Sequence, residues 1–168
     1  EHFIFYCTDQ DVKILDDLEE SFEGCYKRVT TDLGKAPADK TRVDIYPDLE
    51  TYHNGIGRPN APDWSVGMAR SGRVYMVSPL NPGPQHSYDS IVTVAVHEFV
   101  HIVVEEFNRR QPAYLNEGLA SYEAGQKASK YIIGNDAANN RLPSITDMEN
   151  WADAYESEGR IYNYGYAY

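Results

Sequence analysis

The sequence predicts an α+β fold around one core, and three observations carry that expectation. Short apolar segments suited to strands crowd the first half, while long segments with helical spacing of apolar residues fill the second. No internal repeat or low-complexity tract interrupts this order. The third is size: 168 residues, 42% hydrophobic and 24% charged, suit one globular domain. We therefore take residues 1–168 as a single domain, sheet-rich over 1–86 and helical over 87–168. The start at Glu1 and the abrupt ending "IYNYGYAY" read as a piece cut from a longer chain.

Each element follows from its residues. "HFIFYC" reads as a strand. The run "DQDVKILDDLEESFEGCYKRVTTDLG" places Val12, Leu15, Leu18, Phe22, Cys25, Tyr26 and Val29 near helical spacing, with Thr8 or Asp9 as cap and Gly34 as stop. "TRVDIYP" puts Val43 and Ile45 on one face of a second strand, which Pro47 ends. Residues 51–64, rich in Gly, Pro and Asn, predict a loop. "SVGMA" and "RVYMVS" flank "RSG" as a hairpin, and "PLNPGPQ" is a rigid break. Ser87 caps a helix running to about Phe107, and "NRRQP" forces a turn because Pro112 cannot continue it. A further helix spans about 115–124 and ends near Gly125. In "LPSITDMEN" a Ser takes a cap position with Asp147 three residues on.

Charge narrows the partners. A net charge of −11 argues against nucleic acid, whose phosphates require clustered Lys and Arg, and makes anionic membrane surfaces poor partners. A solvated acidic surface explains it, with a cationic substrate as the alternative. No run of 18 apolar residues predicts a membrane span. Cys7 and Cys25 are too few for a disulfide framework or a four-thiolate metal site, and are expected as small buried apolar residues rather than as a bridge. His2, His53 and His86 sit in terminal or loop contexts, expected exposed rather than liganding. The acidic run "DMENWADAYESE" lacks calcium-loop geometry and reads as a solvated helix face with Trp151 and Tyr155 turned inward.

The helix after Ser87 carries "VAVHEFVHIVVEE", two histidines and a glutamate inside an apolar run. At 3.6 residues per turn, His97 and His101 lie about 40° apart around the axis and one turn apart along it, so their imidazoles can meet at one ion. Glu98 is about 100° from His97, off the ligand set but beside the same cleft. Glu117, separated from His101 by fifteen residues, in "AYLNEGLASYEAG", can return on an antiparallel helix as a third ligand. Two His and one Glu suit Zn²⁺ and leave a fourth position for water. The alternative for Glu117 is a first-turn glutamate favoured by the helix dipole. Ser121 and Glu123, on the same helix, are candidates to orient the imidazoles.

"HEFVH" followed by "YLNEGLASY" resembles the gluzincin zinc metallopeptidases, in particular the peptidase-MA-like domains and the catalytic domain of aminopeptidase N-type enzymes. The clear resemblance covers about residues 91–125. It implies a zincin-like metallopeptidase domain: an N-terminal twisted mixed sheet with helices, an active-site helix, then a helical C-terminal part. It also implies Zn²⁺ held by His97, His101 and Glu117, Glu98 as base, and a peptide or protein substrate. A tyrosine downstream of the third ligand is implied as oxyanion donor, with Tyr164 or Tyr166 favoured over Tyr162. The spacer is shorter than in aminopeptidase N-type enzymes and the G-x-M-E-N segment that grips a free amino terminus is missing, so an endopeptidase is expected. A secreted or cell-surface setting follows from the likeness alone. Val74–Val77 is a candidate edge for an extended substrate, or else an ordinary internal strand. Two other readings stay open: a non-catalytic zinc scaffold for interactions, and another zinc amide hydrolase on the same fold.

Overall fold

Alternation builds a four-stranded sheet. In the computed structural model, which describes residues 1–107, 110–126 and 130–149, β1 (Phe3–Tyr6) pairs parallel with β2 (Thr41–Tyr46). β2 pairs parallel with β4 (Arg73–Val77), and β3 (Gly67–Arg70) closes the order β1-β2-β4-β3 antiparallel to β4. Phe3, Val43, Ile45, Val74 and Met76 point to one face, where α1 (Leu15–Leu33) and α3 (Tyr88–Glu105) pack over them. The chain is α+β as expected. Among the described residues no helix is long and apolar enough to cross a membrane.

In α1 the buried positions Leu18, Phe22, Cys25 and Val29 recur at intervals of three and four, one stripe of a helix. Phe3, Phe22, Tyr26 and Phe99 form an edge-to-face and stacked aromatic cluster with centroids 4.9–6.1 Å apart, joining β1, α1 and α3. α3 begins with the expected cap: Ser87 accepts from Ser90 N–H and the Ser90 hydroxyl accepts from Ser87 N–H. α4 (Ala113–Glu123) packs antiparallel behind it, and Ser144 caps α6 (Ile145–Glu149), exchanging hydrogen bonds with Asp147.

Several expectations need correction. The first helix opens as a 3-10 turn, Asp9–Ile14, and Val12 is exposed. Thr8 does not cap backbone; its hydroxyl donates to Asp11, whose fully buried carboxylate also takes the Ser78 hydroxyl at the end of β4. Residues 51–55, the first part of the stretch expected as loop, belong to α2 (Leu49–Gly55): Asp48 accepts from Thr51 N–H, and Tyr52 and His53 are buried. The loop signals begin only at Asn54, after most of the helix is made. His53 is thus not exposed, and its Nε2 hydrogen-bonds the Ser65 carbonyl. α5 (Lys130–Ala138) was not anticipated, because its apolar residues follow no helical period. Cys7 and Cys25 are free thiols; Cys25 is buried and Cys7 half-buried against the core, and burial pushes the Cys25 thiol up to about 12. Trp151, Tyr155 and the final tyrosines lie outside the described residues.

The hairpin turns through Ser71 and Gly72, both left-handed (φ 54° and 71°), the two-residue turn that matches strand twist. Val74–Val77 is therefore internal, paired on both sides, and the edge beside α3 is β3. A Cβ on Gly67 would sit 2.6 Å from Val94 Cγ1 and 3.3 Å from Glu98 Cγ, so α3 reaches this edge only because residue 67 has no side chain. Gly67→Ala is expected to destabilise the fold by about 1–3 kcal/mol, the usual result of overpacking, seen as a lower urea midpoint at unchanged slope.

Candidate metal centre

α3 has one apolar face and one polar one. Ile91, Ala95, Phe99 and Val103 are fully buried, and the same turns carry His97, Glu98 and His101 around toward β3 and α4. Pro112 starts α4 so that Asn116 and Glu117 face those histidines. Glu117 is the fifth residue of α4, past its first turn, so a dipole role at the helix start does not explain it.

Three donor groups converge. His97 Nε2 lies 3.1 Å from Glu117 Oε2 and 3.1 Å from His101 Nε2; His101 Nε2 lies 3.6 Å from Glu117 Oε1. A tetrahedral ion with bonds of about 2.0–2.2 Å has ligand–ligand edges of roughly 3.3–3.6 Å, within a few tenths of an ångström of these separations. The side chains are 12%, 13% and 25% exposed, enclosed yet reachable.

The outer nitrogens decide the chemistry. His97 Nδ1 donates to Gln126 Oε1 at 3.2 Å and His101 Nδ1 to Asn116 Oδ1 at 3.0 Å. Amide oxygens only accept, so each Nδ1 carries a proton; with no second proton on Nε2, both Nε2 lone pairs point inward. Two lone pairs and a carboxylate facing one another need a cation or a proton between them. The donor set therefore fits a metal ion.

Glu98 stands beside this triad. One of its carboxylate oxygens is within 4.8 Å of the donor nitrogens of both histidines. Its Oε2 accepts from Ala69 N–H at 2.7 Å, which ties it to β3. Burial raises the Glu98 carboxyl pKa, against the charges of both imidazoles and the Ala69 bond. Burial alone would raise Glu117 as well, but its hydrogen bond from His97 and the charges of both imidazoles bring it below the ordinary value. For His97, burial is outweighed by the Glu117 hydrogen bond and the charges of Glu98 and Glu117, and its pKa is raised.

His97, Glu98, His101 and Glu117 are thus brought together, while Tyr164 and Tyr166 lie outside the described residues. The imidazole partners differ from those expected. Ser121 and Glu123 are buried, but Glu123 pairs with Arg28 of α1 (Oε2 to Nε, 3.6 Å) and accepts at its carbonyl from the same guanidinium. Asn116 could be suspected from its place beside Glu117. Gln126 carries no local signal, because a Schellman turn aims it: Gly125 is left-handed (φ 68°), its N–H bonds Tyr122 O, and Gln126 N–H bonds Ser121 O. No family model, curated protein or solved structure matches the chain.

Zinc titration should saturate near one ion per chain and lose that site in Glu117→Ala. Asn116→Ala and Gln126→Ala should each weaken affinity by about 10–100-fold without changing the stoichiometry. Protons compete for the imidazoles, so affinity should fall as pH is lowered. With the His97 pKa raised, the fall should begin at higher pH than for ordinary histidines of pKa about 6.5, read by calorimetry across a pH series.

Proposed function

We propose that the chain is a zinc-dependent peptidase with a zincin-like fold of gluzincin type, cutting within peptide chains. The observation that carries this reading is the convergence of His97, His101 and Glu117 donors beside a second carboxylate, Glu98. Zinc held there would supply Lewis-acid activation of water and of the scissile carbonyl.

The chain's own residues do the rest. Glu98 takes a proton from the attacking water and delivers it to the leaving amine. Its raised pKa strengthens it as a base relative to an exposed carboxylate, and the Ala69 N–H holds Oε2 so that Oε1 is the atom that exchanges the proton. Asn116 and Gln126 keep both imidazoles in the tautomer that presents Nε2.

β3 is suited to hold the substrate. Val77 N–H bonds Val66 O, and the two-residue turn pairs Arg70 with Arg73, so alternate residues bond toward β4 and the backbone of Gly67 and Ala69 faces outward beside Glu98. An extended peptide added along this edge would place a carbonyl near the metal donors, and an open edge favours cleavage inside a chain.

Glu98→Gln is expected to reduce hydrolysis of a quenched-fluorescent peptide library by about 10²–10⁴-fold while retaining one zinc per chain. Full activity in that variant would defeat the base assignment. Absence of cleavage by the zinc-loaded parent would defeat the peptidase reading.

A further inference from the structure

The outer face of the sheet, opposite α1 and α3, carries a cross-strand row that the metal centre does not use. The register aligns Ile4, Arg42, Arg73 and Arg70 across β1, β2, β4 and β3, and beside them Tyr6, Asp44, Tyr75 and Met68. Three arginines thus stand on adjacent strands, about 5 Å apart per step, in a chain of net charge −11.

Like charges placed directly opposite on neighbouring strands destabilise a sheet. Arg42 is compensated: it forks onto Asp44 and lies 3.7 Å over the Tyr6 ring. Arg70 and Arg73 are exposed and have no carboxylate partner among the described residues; Arg70 only leans over Tyr75, 5.4 Å from its centroid. Ile4 and Tyr6 are 45% and 48% exposed on the same face. Among the described helices, α2 covers only the far end, where Tyr46 meets Tyr52.

We propose that this face binds an acidic polypeptide segment containing apolar or aromatic residues. Paired guanidinium groups match carboxylates bidentately, and Ile4, Tyr6, Tyr75 and Met68 supply the apolar strip for the alternating side chains. Charge complementarity is local: two uncompensated cations suit a segment with a few carboxylates. A nucleic acid carries one charge per about 1.7 Å and would meet the repulsion of the strongly acidic remainder within about one Debye length. The row ends on β3, so a segment bound here lies next to the edge that flanks Glu98.

The test is fluorescence anisotropy with a labelled peptide of alternating Glu and Tyr, run in the presence of a chelator so that neither zinc nor cleavage contributes. Binding should weaken with added salt, fall by about tenfold or more in the double variant Arg70→Glu/Arg73→Glu, and fall less in Arg70→Lys/Arg73→Lys, which keeps the charge but loses the bidentate fork. Circular dichroism and the melting curve should be unchanged in both variants, which separates a lost surface from a lost fold. No binding by the parent, or binding indifferent to the double reversal, would overturn the proposal. So would equal or tighter binding of a single-stranded oligonucleotide or of phosphatidylserine vesicles. Because the metal is absent throughout, each outcome is independent of the peptidase reading.

Discussion

The two-sided demand on α3 governs this protein. Its apolar side must bury Ile91, Ala95, Phe99 and Val103 against sheet and α1, and each large side chain so buried contributes about 1.5–3 kcal/mol. Its polar side must hold two imidazoles and a carboxylate in a semi-enclosed cleft, where an unpaired charge costs several kcal/mol. Both conditions hold at once because β3 offers a bare glycine and a free N–H at the point of closest approach. The close packing at Gly67 and the hydrogen bond at Ala69 set how far Glu98 stands from the histidines.

The other half of the centre depends on α4. Glu117 arrives by a return through Pro112, and the helix is anchored at its far end by Arg28 and Glu123, which tie it to α1. The two amides that orient the imidazoles come from the two ends of the same helix, Asn116 near the start and Gln126 just beyond the Schellman turn. One short helix and the turn that ends it therefore supply a donor and both orienting partners. Neutral amides orient the imidazoles without adding charge, so the negative charge of the cluster comes from Glu117 and the neighbouring Glu98.

Where local and tertiary signals agree, the sequence could be read directly. The stripe Leu18, Phe22, Cys25, Val29, the Ser87 cap and the alternation of "TRVDIY" each name their element without help from elsewhere. α2 was hidden because the glycine and prolines that follow it dominate the composition of its window, whereas its start depends on one Asp48 side chain and its stability on burying Tyr52 and His53. Val12 has helical spacing but precedes the α-helix in a 3-10 turn of different period, so it points to solvent.

By itself the sequence determined the spacing of His97, Glu98 and His101, because helical periodicity is local and four residues make one turn whatever surrounds them. It also determined that Glu117 was available for a return helix. Only the tertiary structure decided that the Glu117 carboxylate meets both histidines, that Asn116 and Gln126 rather than Ser121 and Glu123 hold the imidazoles, and that β3 rather than β4 is the edge. Those choices join residues 15 to 30 positions apart through the packing of α3, α4 and the hairpin. Strand order and helix docking are set by the summed burial of many side chains, and no local pattern encodes that sum.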